Sequence, residues 1–184
     1  MAQPSRQEAV SILEEGNARL HELLDGVPEA DLVRESTIGG GEWSAKDLIG
    51  HIAAWEEMAL RSLEEWRRGE TPWVEREEGP FHGPGNENVD AFNARAVEEK
   101  RRLSLDEVRR SSQEIHQKLV AEITALSDEE WRTKASYPTE GGRRNRLVTL
   151  LGAVLGAPKG PFAHAFAHIP DVEAFIASVQ RGNP

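Results

Sequence analysis

Cysteine is missing from this chain of 184 residues, and methionine and tyrosine are scarce, at two and one. Without thiols there are no disulfides, no thiolate metal sites and no cysteine nucleophile, and a cytoplasmic setting fits. Basic residues are also in deficit, 22 against 32 acidic, for a net charge of −10. Binding to a phosphate backbone needs clustered Lys and Arg that displace counterions, so nucleic acid is not expected as a partner. No apolar run approaches the roughly 18 residues of a membrane span, and neither a membrane helix nor a secretory leader is expected. A Gly-rich phosphate loop, a nucleophile elbow, an internal repeat and a low-complexity tract are missing too. What is present is an ordinary globular composition, 38% apolar and 29% charged, in a length that suits one domain over residues 1–184.

Apolar residues recur at helical spacing in every long segment, which predicts an all-α fold of four main antiparallel helices. The first helix opens on the capping box Ser5-Arg6-Gln7-Glu8 and carries Ala9, Ile12, Leu13, Gly16, Leu20, Leu23 and Leu24 as far as about Asp25. Pro28 suits the first turn of a short piece through Leu32, and His21 reads as surface. Ile38-Gly39-Gly40-Gly41 then makes a flexible connection. Ser44 is the N-cap of the second helix, with Asp47 adding negative charge at its positive end. Leu48, Ile52, Trp55, Ala59, Leu63 and Trp66 share a narrow sector of this helix, which ends by Gly69.

Prolines and glycines between Gly69 and Asn88 predict a long loop between helices two and three, with Trp73 and Phe81 as apolar anchors of a partly packed lid. Helix three begins near Asp90, and the capping box Ser104-Leu105-Asp106-Glu107 marks a bend or restart. His116 falls off its apolar stripe and reads as solvated. The acidic pairs Glu56-Glu57, Glu64-Glu65 and Glu98-Glu99 likewise read as solvated faces. Ser127 starts a further short turn of helix, Tyr137 to Gly142 is a second loop, and Leu147 to Leu155 is a short buried helix. Pro161 serves as an early residue of the last helix, in which Pro170 forces a kink or begins a new helix.

Three histidines carry the chemistry. His51 lies beside Leu48 and Trp66 at the edge of the second helix's apolar face, a position that alone would mean a boundary residue. His164 and His168 are four apart on the last helix, and Cβ atoms at that spacing, about 5 to 6 Å apart, let two imidazoles converge on one ion. Three neutral imidazoles would leave a divalent ion its full charge and an open position, the arrangement by which a metal acidifies water or polarises a carbonyl. Zinc or nickel leads, with manganese or iron as alternatives. His82, on the long loop, is a lesser candidate for a fourth ligand. Glu56, Asp47 and Asn93 lie near the motifs, but none is singled out as a general base.

The Trp43-Ser44-Ala45-Lys46-Asp47 helix start followed by His51, with the late His164-x3-His168, resembles the DinB/YfiT-like superfamily of four-helix-bundle metalloenzymes. Asp90-Ala91-Phe92-Asn93, Ser104 to Val108, Leu126 to Trp131, His51-x3-Trp55 and His168-Ile169-Pro170-Asp171-Val172 are similar to its ClbS/DfsB-like branch. Ala165 and Ala167 depart from that branch, whose members often carry Tyr and Glu there. The resemblance implies a metal-dependent hydrolase or transferase acting on a small, electrophilic or toxic molecule. The superfamily also includes thiol-dependent transferases and isomerases, and the branch is associated with self-protection. A non-catalytic or metal-independent binding bundle is the competing reading. Relatives commonly pair, and together with the apolar Trp66, Trp73 and Leu147 to Leu155 this implies a homodimer.

Overall fold

Serine side chains start four of the helices. Ser5, Ser44, Ser104 and Ser127 each accept from the backbone N–H three residues on. The acidic residue at that position (Glu8, Asp47, Glu107 or Glu130) accepts from the serine N–H in return. The computed structural model describes residues 3–38, 43–82, 87–138, 144–156 and 160–182. Their helices are α1 (Arg6–Leu24), the single turn α2 (Glu29–Leu32), α3 (Ala45–Arg67), α4 (Glu87–Arg101), α5 (Leu105–Ala125), α6 (Asp128–Arg132), α7 (Leu147–Val154) and α8 (His164–Gln180). Backbone pairing of the β type includes the isolated antiparallel bridges of Ile38 with Trp43 and Lys134 with Arg146, and no strand forms among the described residues. The expected glycine connection over 39–41, the loop residues 139–142 and Pro158 lie outside the described residues.

Four long helices make the bundle. α3 packs on α5, α5 on α1 and α1 on α8, while α8 meets α3 only sparsely. That thin contact is where the histidines lie. Gly16 allows the tight α1–α8 approach, since a Cβ there would come within 3.2 Å of both Ala165 and Phe166. α3 is the central element, buried along nearly its whole length, and all the stripe residues expected to be inside are buried except Trp66, which is partly covered.

Helix three restarts at the Ser104 box, one of the two alternatives expected there, so that α4 from Glu87 is followed by α5 from Leu105. Other expectations are corrected. His116 is buried, not solvated, and its Nδ1 lies 2.8 Å from Glu56 Oε1, which is buried with it. Glu65 is buried as well, where Oε2 accepts the Trp73 N–H at 2.6 Å and Oε1 pairs with Arg61. Both carboxylates escape the solvated reading because α3 has neighbours on several sides, not along a single stripe. Pro161 precedes the last helix: the chain turns at Phe162, whose φ of 64° no helix accommodates, and α8 starts at His164. Pro170 then sits inside a continuous α8 on its exposed side. The long loop is tied down through a 3-10 turn at Trp73–Glu75, with Val74 fully buried and the Phe81 N–H bonded to the Val74 carbonyl.

Candidate metal centre

His51 projects from the second turn of α3, and His164 and His168 from the first turn and a half of α8. Phe162 sets the start of α8. Its left-handed backbone is held in place by a fully buried ring stacked 5.6 Å from Trp131, and the His164 N–H bonds the Leu155 carbonyl at 3.1 Å. The result brings the three expected residues together. His51 Nε2 lies 3.1 Å from His164 Nε2, His168 Nε2 lies 3.3 Å from the same atom, and the ligand atoms all fall within 4.8 Å of one another.

The 3.1 and 3.3 Å separations suit a shared ion. Nitrogens about 2.0 to 2.1 Å from a tetrahedral ion would sit about 3.3 Å apart. Protonation would disrupt this arrangement, and the surroundings oppose it. Burial first, then the neighbouring imidazoles, push His51 down to about 2, and the same causes push His164 down to about 3. Burial also lowers His168, against an opposing pull from Asp171. The positive end of the α8 dipole, at His164, works in the same direction. Neutral imidazoles are the form a cation binds.

The outer contacts of the three rings differ. His168 Nδ1 lies 3.4 Å from Asp171 Oδ2, one helical turn along. His51 Nδ1 and His164 Nδ1 are buried and unpartnered among the described residues. The Trp43 ring lies 4.7 Å from His51, and the Trp55 ring 6.1 Å from His164. Trp55 is fixed by its Nε1–H donating to Asn93 Oδ1 at 2.9 Å and by Phe92 and Phe81 around it. Phe81 is 41% exposed, so this aromatic wall reaches solvent.

Sequence reasoning did not single out Asp171, Trp43 or Phe81 as neighbours of the site. Only Asp171 carried a local signal, its i+3 spacing from His168. His82 is not in the converging group among the described residues. Glu56 is engaged by His116, and Asp47 by the α3 cap.

The DinB superfamily model matches residues 12–157, and the chain belongs to that superfamily. The matched span includes His51 and stops before His164 and His168. No curated protein matches the chain. Solved structures share the fold at low identity. An uncharacterised protein from Clostridium difficile 630 has a TM-score of 0.70 at 13% identity, with 97% of this chain and 99% of that one covered. The colibactin self-resistance protein ClbS, solved in complex with a dsDNA, has a TM-score of 0.69 at 17% identity, covering 97% and 98%. YfiT from Bacillus subtilis, a probable metal-dependent hydrolase with an unusual four-helix bundle topology, has a TM-score of 0.57 at 15% identity, covering 99% and 90%. Because ClbS was solved with DNA, the fold itself does not exclude nucleic acid, which net charge alone led us to set aside.

Proposed function

We propose that the chain, acting as one domain, is a mononuclear metal-dependent hydrolase or transferase for a small, electrophilic or toxic molecule, with His51, His164 and His168 as the ligands. The observation that carries this reading is the convergence of three Nε2 atoms at ligating separations, 3.1 and 3.3 Å, in a setting that keeps them neutral. A zinc or nickel ion in first place, manganese or iron after them, would supply Lewis-acid chemistry at an open position. The chain supplies the rest. Asp171 orients the His168 ring, burial holds His51 and His164, and Trp43, Trp55 and Phe81 offer apolar contact and exclude water beside the reacting group. Among the described residues, no helix is long and apolar enough to cross a membrane. A cytoplasmic location and a homodimer belong to the proposal. Apart from Thr149 and Ala153, Leu147 to Leu155 is buried within the chain's own core, so the dimer rests on likeness to relatives and not on that segment.

The test is metal content of untagged protein, followed by chelator competition with zinc and with nickel. One ion per chain is expected, with tight binding lost in His164→Ala and His168→Ala and strongly weakened in His51→Ala. Unchanged affinity in these variants would overturn the ligand set, and light scattering at the monomer mass of 20.4 kDa would overturn the dimer.

One observation favours the metal-independent binding bundle. Ligating histidines usually donate their other ring N–H to an acceptor, and His51 Nδ1 and His164 Nδ1 have none among the described residues. Metal-free protein under several metal supplements would decide for it.

A further inference from the structure

The acidic chain has a basic island. Residues 131–149 carry Arg132, Lys134, Arg143, Arg144 and Arg146 against Glu140 alone, a net +4 that leaves −14 on the remainder. Arg132, Lys134, Arg144 and Arg146 line one open cleft of about 770 Å³, closed on its other side by the N-terminal segment at Gln3, Pro4 and Glu8. Among the described residues, none of these four side chains has a hydrogen bond or an ion pair. Elsewhere the arginines are commonly matched, as in Arg19–Glu22, Arg67–Glu122, Arg68–Glu70 and Arg76–Glu65. The cleft's own carboxylate, Glu8, is held in the α1 cap, accepting the Ser5 N–H at 2.7 Å.

Backbone pairing sharpens the imbalance. The Ala135 N–H donates to the Asn145 carbonyl at 2.8 Å and the Leu147 N–H to the Thr133 carbonyl at 3.1 Å. Lys134 and Arg146 are thereby the directly opposed pair of an antiparallel bridge without mutual hydrogen bonds, the closer kind, with Cα atoms about 4.5 Å apart. Like charges directly opposite destabilise. An anion between them would convert that repulsion into attraction, and arginine's planar fork matches a phosphate oxyanion.

A second hollow, of about 430 Å³, adjoins the cleft, shares Pro4 and Val148 with it, and continues over Ala153 and Pro161. We propose that the cleft holds the phosphate-class head of a small amphipathic anion whose apolar body lies in this hollow. A small ligand is favoured over a polyanion because a duplex needs a basic stripe along its backbone, whereas this concave site is set in a surface of opposite sign. The proposal is independent of the metal centre.

Calorimetry with octyl phosphate below its micelle concentration, and with inorganic phosphate, tests it. Octyl phosphate should saturate one site per chain and bind about tenfold or more tighter than inorganic phosphate, because each buried methylene adds affinity. Arg144→Gln combined with Arg146→Gln should weaken both probes by about tenfold or more, while the exposed Arg110→Gln should leave them unchanged. Both cleft arginines are exposed and without side-chain partners, so the double variant should melt no lower than wild type. Absence of saturable binding, or wild-type affinity in the double variant, would overturn the site. Equal affinity for the two probes would overturn the apolar half. Displacement of octyl phosphate by a short DNA duplex at lower concentration than by inorganic phosphate would overturn the small-ligand assignment.

Discussion

Acidifying the metal-free protein tests the triad without reference to any reaction. His51 and His164 are 3% and 8% exposed, and their proton affinities fall to about 2 and about 3. In the unfolded chain both return to about 6.5. Above that value both states are neutral, and the histidines do not penalise folding. As pH falls below it, the unfolded chain takes up protons that the native chain refuses, so stability declines by about 1.4 kcal/mol per pH unit for each group. By about pH 5 each has removed about 2 kcal/mol and the pair about 4 kcal/mol, a large part of a typical 5 to 15 kcal/mol. The loss would continue until pH reaches the native values. His168, also lowered, adds to it in the same sense. Urea titrations of chelator-treated protein, followed by tryptophan fluorescence from about pH 7.5 to about pH 5, would measure the slope. A His51→Gln/His164→Gln variant provides the subtraction, because every other titrating group is common to both proteins. The wild-type midpoint should fall more steeply than the variant's, and parallel profiles would refute the burial argument. Added zinc should flatten the wild-type curve alone, since protons and the ion compete for the same nitrogens.

Two further perturbations probe the packing that positions the site. Gly16→Ala, which in an exposed helix would gain up to about 1 kcal/mol, should instead destabilise by about 1 to 3 kcal/mol. The new Cβ would meet Ala165 and Phe166 at 3.2 Å, and a raised melting temperature would show that α1 and α8 are not in such contact. Glu56→Leu should cost about 1 to 3 kcal/mol by leaving His116 buried and unpaired, while Glu56→Leu with His116→Leu should recover most of the loss. A double variant no more stable than the single one would refute the pairing.

Local signals were legible and long-range ones less so. Ser5, Ser44, Ser104 and Ser127 announced their helices because a cap is a matter of three or four consecutive residues. The His164–His168 pair was legible for the same reason. His51 lies 113 residues from His164 in sequence, and joining them required the bundle as a hypothesis. His116 and Glu56 were misread because a stripe drawn on one helix assumes one buried face, whereas α3 is enclosed by α4, α5, α7 and α8. Nothing local marks Phe162 for a positive φ, since its conformation is imposed by the stacking of its ring on Trp131. The opposition of Lys134 and Arg146 depends on a register between residues 12 apart across a loop, which spacing alone does not fix.

The misread residues and the triad share one level of the bundle. Along α1 the core passes from Ala9 and Leu13 to Leu20 and Leu24, with Gly16 between them; along α3 it passes from Ile52 to Trp55, flanked by His51 and Glu56. Along α5 the break falls at Ser112 and His116, and along α8 at His164 and His168, between Phe162 and Val172. Two apolar clusters are thus separated by a polar waist on α3, α5 and α8, which α1 crosses at Gly16. A buried polar layer costs stability unless its members satisfy one another, and Glu56 with His116 do so. The imidazoles of His51 and His164 do so less completely, since each keeps a buried Nδ1 without a partner. Sliding α3, α5 or α8 along its axis would set waist polar groups against the apolar clusters, so the layer fixes the register of these helices. The register in turn fixes the Nε2 separations. A cation placed among those nitrogens would strengthen the layer where it is least satisfied, so metal affinity and bundle stability should rise and fall together across waist variants.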